Sequence, residues 1–278
     1  MKTLTLVPIG GLANRFYAIT SAIAFCKDYN IKLKVIWFKD KGMGADFHSL
    51  FELSEDVDKS NVEVIDAKWY HYIYDRPRKR NLWLPWIWQL FLFKKKSYEN
   101  DIDSFNLDDI LDSLLKGKST YLVHFGRFCP QINRRALVLN RNIQSEIDKI
   151  MACFPSLNRL IGVHIRRTDN IISIQKSPLH LFIEALDREI EMDPSVYFYV
   201  ASDSSKEKMI LKERYGEKVL MLEEEVQRSN TKGIENALIE LYILSQTEKI
   251  YGSVYSSFSR LASELSGISL HLLSIENN

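Results

Sequence analysis

Short apolar runs alternate along the chain with stretches of helical spacing. Thr3 to Pro8 reads as a strand, and Ala13 to Asp28 follows with Phe16, Ile19, Ile23 and Cys26 at helical intervals. Leu33 to Trp37, Val62 to Ile65 and Thr120 to Phe125 read as further strands, whereas 68 to 118 is aromatic, charged and without a clear period. The second half is more regular. Leu160 to Ile165, Val196 to Ala201, Lys218 to Leu222, Lys249 to Tyr251 and Ile268 to Leu273 read as strands. Between them lie helical patterns over Leu179 to Glu191, Ser204 to Tyr215, Ile234 to Thr247 and Ser257 to Leu265. Pro178 opens the first of these helices, Gly216 ends the second and Ser266-Gly267 end the last. Strand–helix alternation predicts an α/β fold of parallel sheets with helices on both faces. The length of 278 residues suits two such domains, expected at 1-135 and 136-278.

Composition changes this picture little. Apolar residues make up 46% and charged residues 26%, with a formal net charge of +1, so no global field draws the chain to nucleic acid and anion recognition must be local. Cys26, Cys129 and Cys153 stand far apart, which signals neither a metal site nor a disulfide framework and predicts reduced, buried thiols. The opening MKTLTLVPIGG lacks a long apolar stretch and reads as a strand rather than a leader, so a cytoplasmic location is expected. One segment stands out: Leu82 to Phe93 reads LWLPWIWQLFLF, with Arg76, Arg78, Lys79 and Arg80 before it and Lys94, Lys95 and Lys96 after it. Its 12 residues fall short of the roughly 20 a membrane span needs. It is either a buried segment between solvated charges or an interfacial patch at the inner face of a membrane, which would suit an acceptor carried on a lipid.

Ligands of doubly wound sheets bind beyond the carboxyl ends of strands, and four groups of residues fall there. Gly10-Gly11-Leu12-Ala13-Asn14-Arg15 follows the first strand; its glycines permit close backbone approach, and the helix start offers N–H groups to an anion or a sugar oxygen. Plain turn geometry explains the same glycines. Gly162 to Asn170 reads GVHIRRTDN, with His164 and Arg166 on one strand face and Arg167 at the strand end. Two arginines leaving an apolar strand suit either phosphate recognition or an ion pair with Asp169. Ala201 to Ser205 and Ser253 to Arg260 each run from a strand into a helix, where helix capping competes with phosphate binding as the explanation.

In order, G-G-L-x-N-R, H-x-R-R-T-D, S-D-S, then L-S-Q and S-S-F-S resemble the fucosyltransferase superfamily, which includes the α1,6-, α1,2-, nodulation-factor and protein O-fucosyltransferases. The resemblance covers the first 15 residues and about 160 to 265; the middle third aligns with nothing. It implies two Rossmann-like domains facing a cleft (GT-B type), an inverting transfer of fucose from GDP-fucose to a glycan hydroxyl, and no metal or other cofactor. On that resemblance Arg166 holds the β-phosphate, His164 and Arg167 support it, and Asp203 and Glu240 contact guanine or ribose. Ser256, Ser257 and Phe258 lie against the pyrophosphate, while Gly10, Gly11, Asn14 and Arg15 come from the other domain. Where the α1,6 branch carries a lysine and a glutamate after T-D, this chain has Asn170 and Ile174, so the family's general base does not transfer and Asp169 is the nearest candidate. Asp56-Val57-Asp58 and Asp101-Ile102-Asp103 match a metal-binding D-x-D literally but follow no convincing strand, and read as solvated loops. The alternatives are a transferase for another GDP-sugar and a catalytically silent nucleotide-sugar-binding module.

Overall fold

A computed structural model of the chain describes residues 2–154, 159–168, 170–223 and 227–276. The chain divides into two compact units, Met1–Asn140 and Arg141–Asn278. Each is a Rossmann-like α/β unit built on a five-stranded parallel sheet.

The first unit runs β1 (Thr3–Pro8), α1 (Leu12–Asp28), β2 (Lys32–Trp37), α2 (Phe47–Leu50), β3 (Phe51–Leu53), β4 (Val62–Asp66), α3 (Leu84–Leu92), β5 (Lys95–Ser97), α4 (Leu107–Leu115), β6 (Thr120–His124) and β7 (Leu137–Leu139). Its sheet has the order β4-β2-β1-β6-β5, and β3 and β7 form a separate antiparallel pair. Because β1 is central, both of its faces are covered and five of its six residues are buried. Helix α1 is buried almost all round, with Arg15, Thr20 and Ser21 buried among its apolar residues.

The second unit runs α5 (Arg141–Cys153), β8 (Leu160–Ile165), α6 (Ile171–Lys176), α7 (Leu179–Met192), β9 (Tyr197–Ser202), α8 (Ser205–Tyr215), β10 (Val219–Leu220), α9 (Thr231–Ser245), β11 (Lys249–Ser253), α10 (Ser257–Ser266) and β12 (Ser269–Leu273). The order β10-β9-β8-β11-β12 places β8 at the centre. Ile161, Val163 and Ile165 of β8 pack with Phe198 and Val200 of β9 and with Phe182 and Leu186 of α7. Burying such side chains contributes about 1.5–3 kcal/mol each. Chain order reverses between β8 and β11, the place where sheets of this kind open a crevice at their carboxyl ends.

Three sequence expectations need correction. The stretch from 68 to 118 is not irregular: it holds α3, β5 and α4. In α4, Ile110 and Leu114 face inward four residues apart, and the Asn106 side chain accepts from the Asp108 amide as a cap. The apolar run is not a buried segment either, since only Pro85 and Gln89 of α3 are buried. Among the cysteines, Cys26 and Cys129 are buried but Cys153 is exposed.

Candidate functional site

The strand-end residues of the second unit meet around Asp203. Its Oδ1 accepts from the Arg167 amide at 2.7 Å and its Oδ2 from the Thr168 hydroxyl at 2.6 Å. The same Oδ2 lies 3.3 Å from Arg166 Nε and 3.4 Å from Arg228 Nη2. Asp203 is therefore not a helix cap. Ser204 holds the N-cap position of α8 without a side-chain cap bond, and the Ser202 hydroxyl accepts from the Ser204 amide and donates to the Ile165 carbonyl. The carboxylate that pairs Arg166 comes from the end of β9; Asp169, expected above in that role, lies outside the described residues.

Arg166 and Arg167 differ in what surrounds them. Arg167 is largely enclosed: it donates to the Arg166 and Ser177 carbonyls at 2.9 Å each and pairs with Glu207 at 3.3 Å. Burial lowers its pKa, so the guanidinium depends on those acceptors. Arg166 keeps part of its side chain in solvent, and its amide donates to the Ser253 hydroxyl at 3.0 Å, which joins the ends of β8 and β11. One arginine braces the turn and the next presents cationic charge at its rim. His164 stacks on Phe258 with ring centroids 4.8 Å apart and planes 24° apart. Burial, with Arg166 next in weight, holds its pKa down to about 3, so the imidazole is neutral. Its Nδ1 has no hydrogen-bond partner among the described residues.

The β11–α10 connection completes this end of the sheet. The Val254 amide donates to the Ser177 hydroxyl, and Tyr255 takes a left-handed conformation with φ 57°. Ser256 stands at the N-cap of α10 without a side-chain cap bond, and Ser257 and Phe258 form the first turn. The helix start thus offers amide N–H groups beside the Arg166 turn. Glu240, expected to contact guanine or ribose, is buried on α9 and ion-paired with the equally buried Lys208. Burial raises its pKa to about 7 against the opposing pull of Lys208. A cavity of about 490 Å³ lies on the same unit, lined by Lys149, Phe154, Met221 and Asn236 among others, and none of the strand-end residues lines it.

In the first unit, Gly10 has φ 82°, and a Cβ there would sit 3.1 Å from the Asn14 side chain, so the turn requires glycine. Gly11 is the N-cap of α1 and has open space beside it. Arg15, expected on the resemblance to come to the donor from the first domain, has its guanidinium engaged within this unit. It is fully buried, donates to the Gly10 and Phe38 carbonyls, pairs with Asp40 at 2.9 Å and lies over the Trp37 ring. Desolvation lowers its pKa to about 10. Its bonds tie the Gly10 carbonyl to Phe38 and Asp40.

The two D-x-D matches serve local structure. Asp58 accepts from Ser60 and Asn61, and Asp101 accepts from the Tyr98 amide. Asn170, where the α1,6 branch has lysine, caps α6 by accepting from the Ser173 amide. Sequence reading missed Ser177, Glu207 and Arg228. Only long-range contacts give them meaning, and no local motif marks them.

No protein-family model and no curated protein matches the chain by sequence. Solved structures do match in fold. The fucosyltransferase NodZ from Bradyrhizobium is 18% identical, with a TM-score of 0.64 over 94% of this chain and 91% of that one. POFUT1 in complex with GDP is 12% identical, with a TM-score of 0.61 over 99% of both chains. A mutant of Arabidopsis thaliana FUT1 in complex with GDP is 15% identical, with a TM-score of 0.65 over 98% of this chain and 70% of that one. The chain has the fold of these proteins.

Proposed function

We propose that this protein is a glycosyltransferase that takes fucose from GDP-fucose and transfers it to a glycan hydroxyl with inversion and without a metal. The observation that carries this reading is the Arg166 turn: a partly exposed guanidinium at the switch point of a Rossmann-like sheet, fixed by Asp203 and flanked by the start of α10. The fold it shares with fucosyltransferases solved with GDP or GDP-fucose supports the choice of nucleotide.

In this reading the β-phosphate sits on Arg166, with Ser256, Ser257 and the α10 amides against the pyrophosphate. Negative charge grows on the departing GDP as the sugar–phosphate bond breaks. A guanidinium already held in place stabilises that charge without reorganisation, an effect worth roughly 10²–10³-fold in rate. His164 packs its ring on Phe258 and, being neutral, adds no competing positive charge beneath the nucleotide. Asp169 is assigned as the base that takes the proton of the attacking hydroxyl. Gly10, Gly11 and Asn14 are assigned to sugar recognition, with Arg15 holding their turn.

Thermal unfolding with GDP, GDP-fucose, GDP-mannose and UDP-sugars in EDTA tests this directly, because a ligand bound only by the folded state raises apparent stability. Stabilisation by GDP and GDP-fucose, lost in Arg166→Ala, is expected. No shift with any guanine nucleotide would remove the reading. A second reading, a binding module without turnover, is favoured by Ile174, which stands where the α1,6 branch carries a glutamate. Slow hydrolysis of GDP-fucose separates the two, since a silent module shows none.

A further inference from the structure

Helix α3 presents an apolar surface of unusual kind. Trp86, Ile87, Trp88, Leu90 and Phe91 are exposed, as are Leu82 and Trp83 just before the helix; Phe91 is 79% and Leu82 72% exposed. A solvated surface helix has a polar outer face, but here the one polar side chain, Gln89, points inward and donates to the Ile73 and Asp75 carbonyls. That contact ties α3 to the 3₁₀ turn Trp69–Tyr74, which adds exposed Trp69, Tyr70 and Tyr72 to the same region. Soluble monomers rarely expose contiguous apolar patches on this scale.

Several backbone groups at the two ends of α3 are satisfied from within the protein, which suits a segment that leaves water. The Leu82 and Trp83 amides donate to the Lys79 and Arg78 carbonyls, and the Trp86 amide to the Trp83 carbonyl. Pro85 in the first turn removes one donor that would otherwise lack a partner. At the other end the Leu92 carbonyl accepts from the Ser119 hydroxyl and the Phe93 carbonyl from Lys96 Nζ. Charge defines the rim. Arg76 and Arg78 are neutralised by Asp40, Glu99 and Asp75, and Lys95 lies 3.9 Å from Asp109. Lys79, Arg80 and Lys94, at the two ends of the apolar segment, are exposed and have no acidic partner among the described residues. Nine helical residues span only about 13 Å, and no described helix is long and apolar enough to cross a membrane.

We infer that α3 and its flanking turns form a docking surface for an anionic lipid bilayer. Trp83, Trp86, Trp88 and Phe91 enter the boundary between headgroups and acyl chains, and Lys79, Arg80 and Lys94 meet lipid phosphates. A second copy of this chain fits less well, because self-association would set like-charged rims against each other. The inference rests on this surface alone and not on the donor reading.

The test is flotation of the full chain with vesicles of phosphatidylcholine alone and of equal parts phosphatidylcholine and phosphatidylglycerol. Tryptophan emission and its quenching by brominated acyl chains are followed in parallel. Binding to the anionic vesicles, a blue shift and quenching are expected, with weak binding to phosphatidylcholine. Trp86→Ser/Phe91→Ser and Lys79→Glu/Arg80→Glu/Lys94→Glu should each weaken binding by about tenfold or more. Because these side chains are exposed, both variants should keep the wild-type unfolding temperature, which separates lost docking from lost fold. Absence of flotation at low salt overturns the proposal. So does binding unchanged by either variant, or a concentration-dependent dimer that the Trp86/Phe91 variant abolishes.

Discussion

Both carboxylate oxygens of Asp203 are engaged by the turn after β8, so its charge and its geometry act together on Arg166, Arg167 and Thr168. Replacing it by Asn removes the charge and points an amide donor at groups that are all donors. We expect Asp203→Asn to lower stability by about 2 kcal/mol in urea unfolding and to abolish stabilisation by GDP. Asp169→Asn should do the reverse, leaving stability and GDP binding near wild type while slowing transfer by about 10²-fold or more. Normal transfer by the second variant would dismiss Asp169 as base, and normal GDP binding by the first would dismiss Asp203 as the anchor of the turn. The sequence marks both aspartates as interesting but cannot distinguish them, because the Asp203–Arg167 bond joins residues 36 apart. Arg15 shows the same limit. A donor after two glycines suggests a ligand, and only the structure reveals that Asp40 and two carbonyls already take the guanidinium.

At the level of elements, the fit of α10 on the second sheet depends on a glycine in β11. A Cβ at Gly252 would lie 2.9 Å from Ser259 Oγ and 3.1 Å from Ser259 Cβ, and Gly252 stands in register with His164 of β8. Gly252→Ala must therefore push α10 outward or bend β11. We expect a loss of about 1–3 kcal/mol, together with weaker GDP binding, since the displaced helix carries Ser256, Ser257 and Phe258. Stability measured by urea unfolding and GDP binding by calorimetry check this; an unchanged variant would mean the packing relaxes elsewhere. Strands such as β1, β8 and β9 are legible from sequence because burial on both faces favours short, mostly apolar runs between turns. Helix α3 was not, because an apolar run reads alike whether it faces a core or the outside. Helix α4 is hard to read from sequence even with its Asn106 cap and Ile110–Leu114 spacing, for they stand among aromatic and charged residues that mask the period.

For the whole molecule, stability against pH joins two buried groups of the second unit that pull in opposite directions. The imidazole of His164 is held down to about 3 from an ordinary 6.5, by burial first and then by Arg166 and Arg228 against Asp203. Its contribution is present above about 6.5 and is lost as pH falls toward 3, because the unfolded chain then binds a proton that the folded chain refuses. Glu240 is raised from 4.5 to about 7 by burial, with Lys208 opposing. Its contribution is complete below 4.5 and is lost as pH rises through about 7. Between about 4.5 and 6.5 the two slopes oppose each other, so the wild type conceals both and single variants expose them. The stability of wild type relative to His164→Asn should fall by about 2 kcal/mol between about pH 8 and about pH 5. That of wild type relative to Glu240→Gln should rise over the same interval. Urea unfolding of the three proteins at both pH values supplies the comparison, and the change with pH is the quantity to read, since either substitution also alters packing. A His164 difference that does not change with pH would mean the ring is hydrated in solution and protonates normally, and the neutral imidazole assigned to the nucleotide site would have to be abandoned.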